Sequence, residues 1–210
     1  MKPLDECVLY TFIDSAYLHG RDIGMLAREL CDGGSDLIQL RAKDWPPEKV
    51  EEAARIVAPI LRANEVRLVI NDHLQIAERV GADLCHLGQE DFFDAGHQHI
   101  SQLKTAVGVG LSTHAPEQAG RAVRAGADYV AIGPVYPTGT KPTAKPVTLE
   151  YVRWAAANVR IPWFAIGGIN LNTIADVVAA GARRVCVVSA ILNSADVKAA
   201  CAEFKNRLQR

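Results

Sequence analysis

Four segments of the chain repeat one pattern: "GGSDLIQLR" at 33–41, "GADLCHLG" at 81–88, "GADYVAIG" at 126–133 and "GARRVCVVS" at 181–189. Each sets a glycine and small or polar residues ahead of an apolar run, as a chain does when it leaves a helix through a left-handed turn and re-enters a sheet. Between them stand four more β-rich runs, "VLYTFI", "VRLVIN", "AVGVGLS" and "IPWFAIGG", so the repeat falls on every second run of eight. The runs are almost wholly apolar, as parallel strands buried on both faces must be. The segments between them, among them "PEKVEEAARIVAPILRAN", "APEQAGRAVRAG" and "LNTIADVVAAG", carry helical periodicity. Alternation of this kind means an α/β fold with a parallel sheet. Four lead-ins in register, at Gly34, Gly81, Gly126 and Gly181, favour a closed (β/α)8 TIM barrel over an open doubly wound sheet. A single domain spanning residues 1–210 is expected, since no linker or low-complexity stretch divides the chain.

Composition narrows the function. A formal charge of -1 with both signs interspersed argues against a nucleic-acid footprint or a polybasic membrane anchor, and leaves room only for a local anion site. No apolar run approaches the ~20 residues that span a bilayer, and the acids in "MKPLDECVLY" do not suit a signal peptide, so a cytoplasmic address is expected. The five cysteines lack C-x-x-C spacing and read as reduced packing residues.

In such barrels chemistry gathers at the carboxyl ends of the strands. The second run ends in "QLRAKD", and alternation puts Gln39, Arg41 and Lys43 on one side of the extended chain. Two cations at a deep strand end are costly without an anion, although Lys43 could equally begin a surface loop. The third run ends in Asn71 and Asp72, either of which could cap the next helix. Behind the fourth stand Gln89, Glu90 and Asp91. Carboxylates at Asp72 and Asp91 beside cations suit Mg²⁺ with phosphate, because Mg²⁺ takes one or two carboxylates and completes its shell with water and phosphate oxygens. Zinc does not fit, since no His/Cys group has ligand spacing. His86 reads as a hydrogen-bonded residue lining the barrel. Ser112 ends the fifth run without a G-x-S-x-G elbow, so hydrolase chemistry is rejected. Gly167 and Gly168 after the seventh run, with Asn170 capping a helix from Leu171, and Ser189 after the eighth, form the usual phosphate-binding corner of these barrels. Glycines there could also serve packing alone.

The motifs "QLRAKD", "INDH", "HLGQED", "GLSTH", "GPVYPTGTK", "IGGI" and "VVSAI", in this order from about Tyr10 to Leu192, resemble those of the thiamine phosphate synthase family. The resemblance implies a (β/α)8 barrel that joins 4-amino-5-hydroxymethyl-2-methylpyrimidine diphosphate to 4-methyl-5-(2-hydroxyethyl)thiazole phosphate with Mg²⁺. It implies that Gln39 contacts the pyrimidine, that Arg41, Lys43, Asn71 and Lys141 hold the diphosphate, and that Asp72 and Asp91 bind the metal. By the same resemblance Ser112 lies beside the pyrimidine and diphosphate, and Thr138, Thr140, Gly168, Val188 and Ser189 form the thiazole-phosphate pocket. Arg41, Lys43, Ser112 and Lys141 would carry catalysis by stabilising the leaving group. The implied partners are these two small molecules, neither nucleic acid nor membrane, and a homo-oligomer is left open. The alternatives are a thiazole tautomerase of the same superfamily and a non-catalytic barrel binding phosphorylated ligands. Tyr10 is better explained as a core aromatic, and Lys145 as a solvated flank of the "TGTK" loop.

Overall fold

The computed structural model describes residues 1–139 and 145–209. Eight parallel strands close into a barrel in sequential order: β1 (Leu9–Asp14), β2 (Leu37–Arg41), β3 (Arg67–Asn71), β4 (Leu84–Gly88), β5 (Gly108–Thr113), β6 (Tyr129–Ile132), β7 (Trp163–Ile166) and β8 (Val185–Cys186). Closure joins Leu9 to Val185 and Tyr10 to Cys186. Helices α1 (Ile23–Asp32), α2 (Pro47–Ala63), α3 (Leu74–Val80), α4 (Gln89–Asp94), α5 (Pro116–Arg124), α6 (Thr148–Asn158), α7 (Ile174–Ala179), α8 (Ser189–Leu192) and α9 (Val197–Leu208) follow the strands. Among the described residues no helix is long and apolar enough to cross a membrane.

The repeated lead-ins act as expected, and they do more than turn the chain. Gly34, Gly81, Gly126 and Gly181 all adopt positive φ, the region that disfavours side chains. The aspartate that follows in three of them ties neighbouring strands together at the amino-terminal end of the barrel. Asp36 accepts from the N–H groups of Val8 and Leu9, Asp83 from Leu68, and Asp128 from Val109, at 2.7–3.0 Å. Each of these three lead-ins thus pairs N–H groups at or near the start of the preceding odd strand, donors that must find partners when buried. In the fourth copy Arg183 stands at this place, and the residue after it, Arg184, donates to the Asp5 carbonyl. Asp36 also holds Lys2 and Lys205, fastening α9 and the amino-terminal segment to the barrel.

Two local expectations need correction. The eighth run is regular strand only over Val185–Cys186, because the chain turns at Val188 (φ -113, ψ -90) into α8. The helix expected from Leu171 begins at Ile174. Asn170 uses its side-chain oxygen on the N–H of Asn172, two residues on, and so makes a turn rather than a helix cap. Of the cysteines, Cys7, Cys85, Cys186 and Cys201 are buried, Cys31 is half-buried, and none is in a disulfide. Burial pushes the Cys85 thiol up to about 12 and those of Cys31 and Cys201 to about 11, which keeps them protonated and unreactive.

Candidate active site

A cavity of about 670 Å³ opens at the carboxyl ends of the strands. Gln39, Arg41, Lys43, Asn71, Asp72 and Asp91 line it from the β2–β4 side. Ser112 and Thr138 line it from β5 and the loop after β6, and Gly168, Val188 and Ser189 from the β7–β8 side. Thr140 and Lys141 lie outside the described residues. Exposed Lys145 stands on the far flank of the same loop.

Arg41 is not an isolated cation. Asp14, wholly buried at the end of β1 and in register with Arg41, receives its Nη1 at 2.6 Å and takes the N–H of Ala16 on its other oxygen. The anion required beside two cations is therefore in part the protein's own, and the guanidinium, which lines the cavity, is held by a charge-assisted bond. Lys43 stands 3.6 Å from Asp72 Oδ2, which also accepts from Asn71 Nδ2 at 2.7 Å. Asp72 adopts φ 63, unusual for a residue with a side chain, and its N–H donates to the His86 carbonyl. The turn after β3 thus holds the carboxylate at the rim and rules out a simple helix cap. Asp91 enters from the first turn of α4, and its Oδ2 lies 2.4 Å from where a Cβ on Gly88 would stand, so the glycine makes room for the carboxylate.

These donors suit magnesium. Three carboxylates, Asp72, Glu90 and Asp91, line the cavity beside cations, and among the described residues no group of three or more His, Cys, Asp or Glu forms a closed cage. That is the open donor set of an ion shared with a phosphate.

At β7, Gly167 and Gly168 adopt φ 103 and 65. A Cβ on Gly167 would meet Pro134 at 2.4 Å, and one on Gly168 would meet the Pro137 carbonyl at 2.5 Å. The N–H groups of Val135 and Tyr136 donate to the Ile166 and Gly167 carbonyls, so the glycines pack the β6 loop against β7. The packing role of these glycines is real, and it places Thr138 and Gly168 on one wall. Across the mouth Ser189 opens α8, in which the Ile191 and Leu192 N–H groups both donate to the Val188 carbonyl.

The cavity floor holds a group that strand-by-strand reading missed. Gln39 Nε2 donates to the Tyr10 hydroxyl at 2.5 Å, the Tyr10 and Tyr129 hydroxyls lie 3.0 Å apart, and His86 Nδ1 is 2.9 Å from the Tyr129 hydroxyl. Burial, then the charge of Lys43, brings His86 down to about 4, while burial foremost lifts both tyrosines well above their usual range. All are neutral near pH 7. His86 is the hydrogen-bonded barrel residue expected. The Tyr10 ring is core, packed on Phe12 and Phe164, while its hydroxyl joins the chain. Gly110 was the available signal: a Cβ there would lie 2.0 Å from the Tyr129 ring, and glycine inside a strand marks such an approach.

Known proteins show the same arrangement of sequence and fold. A family model described as thiamine monophosphate synthase matches residues 9–191. Thiamine-phosphate synthase of Halalkalibacterium halodurans is 36% identical over 207 residues, covering 96% of this chain and 95% of that protein. Its namesake from Thermus thermophilus is 43% identical over 178 residues, 84% of each chain. The solved thiamine phosphate pyrophosphorylase of Pyrococcus furiosus superposes with a TM-score of 0.87 at 28% identity, covering 98% of this chain and 97% of that one. With the barrel, the cavity and these likenesses in agreement, the chain belongs to the thiamine monophosphate synthase family.

Proposed function

We propose that the protein is a transferase that joins 4-amino-5-hydroxymethyl-2-methylpyrimidine diphosphate to 4-methyl-5-(2-hydroxyethyl)thiazole phosphate, giving thiamine phosphate and pyrophosphate. The observation that carries this reading is a single cavity with two different anion-holding sides. Cations and carboxylates stand on β2–β4, and glycines with a helix start stand on β7–β8.

The diphosphate lies on Arg41, Lys43 and Asn71, with Lys141 assigned as a further cation for it. Asp72 and Asp91 would hold Mg²⁺, which when bound supplies positive charge to the departing diphosphate. The pyrimidine sits on Gln39 with Ser112 beside it. The thiazole phosphate lies on Thr138, Thr140, Gly168, Val188 and Ser189, the last two acting largely through backbone groups. The C–O bond to the diphosphate breaks first, the ring amino group stabilises the resulting cation, and the thiazole nitrogen captures it with its own lone pair. No protein nucleophile or general base is needed, in keeping with a neutral His86 and unreactive thiols. The chain's residues align the two rings, exclude water and stabilise the leaving group. One domain carries the whole site, and because both substrates are multiply charged the reaction belongs in the cytoplasm.

The test is a coupling assay with both substrates, with Mg²⁺ and with chelator. Thiamine phosphate forms only with the metal and both substrates. Robust tautomerisation of a thiazole phosphate precursor without coupling would instead assign the protein to the tautomerases.

A further inference from the structure

The polar chain on the cavity floor has a property that the coupling chemistry does not use. Its four members come from four strands, Tyr10 from β1, Gln39 from β2, His86 from β4 and Tyr129 from β6. An amide –NH₂ can only donate, and a hydroxyl has one proton to give. With Gln39 Nε2 donating to Tyr10, the Tyr10 proton goes to Tyr129, and the Tyr129 proton to His86 Nδ1. The neutral imidazole then carries its proton on Nε2. Turning the Gln39 amide over reverses every bond and moves the imidazole proton to Nδ1. A mixed state sets donor against donor or acceptor against acceptor in a buried place.

Both ends of this chain face the cavity. Gln39 and His86 line it, and among the described residues neither Gln39 Oε1 nor His86 Nε2 has a protein hydrogen-bond partner. One polarity therefore offers an acceptor at Gln39 and a donor at His86, and the other polarity offers the reverse. The exposed chemistry at the two ends is linked through about the width of the barrel.

We infer that this chain is a specificity device: its polarity selects an aminopyrimidine over the corresponding oxopyrimidine, with Tyr10, Tyr129 and His86 acting as positioning residues through the Gln39 amide. The inference rests on the proposed contact of Gln39 with the pyrimidine. A 4-amino ring brings an N–H donor to the Gln39 oxygen. A 4-oxo ring brings a carbonyl to the same place, so it requires the amide to turn and the imidazole proton to change nitrogen, or leaves buried groups unpaired. Sites built to pair a polar group discriminate strongly in this way.

Two measurements test it. Binding of the 4-amino and 4-oxo forms of 5-hydroxymethyl-2-methylpyrimidine monophosphate is followed by calorimetry without the second substrate, in the wild type and in Tyr129→Phe. The wild type prefers the amino form by about tenfold or more, the scale of one hydrogen bond, and Tyr129→Phe brings the ratio to within about twofold. A folded Tyr129→Phe protein that keeps the full ratio overturns the inference. Nitrogen NMR of wild-type His86 gives a second readout that does not depend on the variant folding. The proton sits on Nε2 with the amino compound and on Nδ1 with the oxo compound, and the same tautomer with both ligands overturns the device. If the wild type binds neither compound and shows no coupling, the pyrimidine reading of Gln39 fails and the inference falls with it.

Discussion

Replacing Asp14 isolates the most tightly enclosed charge at the rim. Its carboxylate has no exposure, the Arg41 side chain retains 17%, and their 2.6 Å contact joins the ends of β1 and β2. Removing one partner of a buried pair leaves the other charge uncompensated and costs about 3–5 kcal/mol. Because Arg41 keeps some water, the low end applies, so Asp14→Ala should destabilise by about 3 kcal/mol, or lower Tm by about 6–12 °C for a chain of this size. Asp14→Asn separates two contributions: it loses the charge but can still accept from the Ala16 N–H, so it should fall between Ala and wild type. Urea unfolding without substrate, extended to Arg41→Met and the double variant, gives the coupling between the two residues. A coupling near 2 kcal/mol or more is expected. A cost under about 1 kcal/mol for Asp14→Ala, or additive single variants, would refute the reasoning that Asp14 is what makes a deep Arg41 tolerable.

Acid should weaken the protein through His86. Its pKa is held near 4 in the fold against about 6.5 unfolded, so between these values the unfolded chain binds more protons. Stability from this group is therefore full above pH 6.5 and falls as pH drops toward 4, by about 3 kcal/mol in total. Urea midpoints at pH 7 and 4.5 for wild type and His86→Asn check this, and a wild-type slope unchanged in the variant would assign it to other groups. Asp91→Ala should lower turnover by orders of magnitude and weaken Mg²⁺ dependence while leaving Tm nearly unchanged, since the side chain lies at the exposed rim. Near-normal turnover would remove Asp91 from the metal site.

What was legible in the sequence was local or periodic. The alternation of runs and the glycine lead-ins set the barrel, because each depends on residues within about ten positions of one another. Strand ends led to the cavity lining for the same reason: closure brings every carboxyl end to one rim. What was not legible depends on register across strands. Asp14 and Arg41 are 27 residues apart and meet because β1 and β2 pair in parallel, while Tyr10 and Tyr129 are 119 apart and meet only inside the closed barrel. Tyr10 looked like core because its ring is core; only the direction of its hydroxyl makes it part of the site. Asn170 misled because its side chain can close a local turn as readily as cap a helix.

The division of one cavity into two anion sites is tested most directly by steady-state kinetics of Lys43→Ala and Gly168→Ala, with each substrate varied in turn. A Cβ at Gly168 would strike the Pro137 carbonyl and the Tyr136 Cβ, displacing the wall assigned to the thiazole phosphate, while Lys43 stands across the barrel beside Asp72. Lys43→Ala should raise KM for the pyrimidine diphosphate about tenfold or more and leave KM for the thiazole phosphate within about twofold, and Gly168→Ala should do the reverse. Variants that shift both constants alike, or in the opposite sense, would contradict the account.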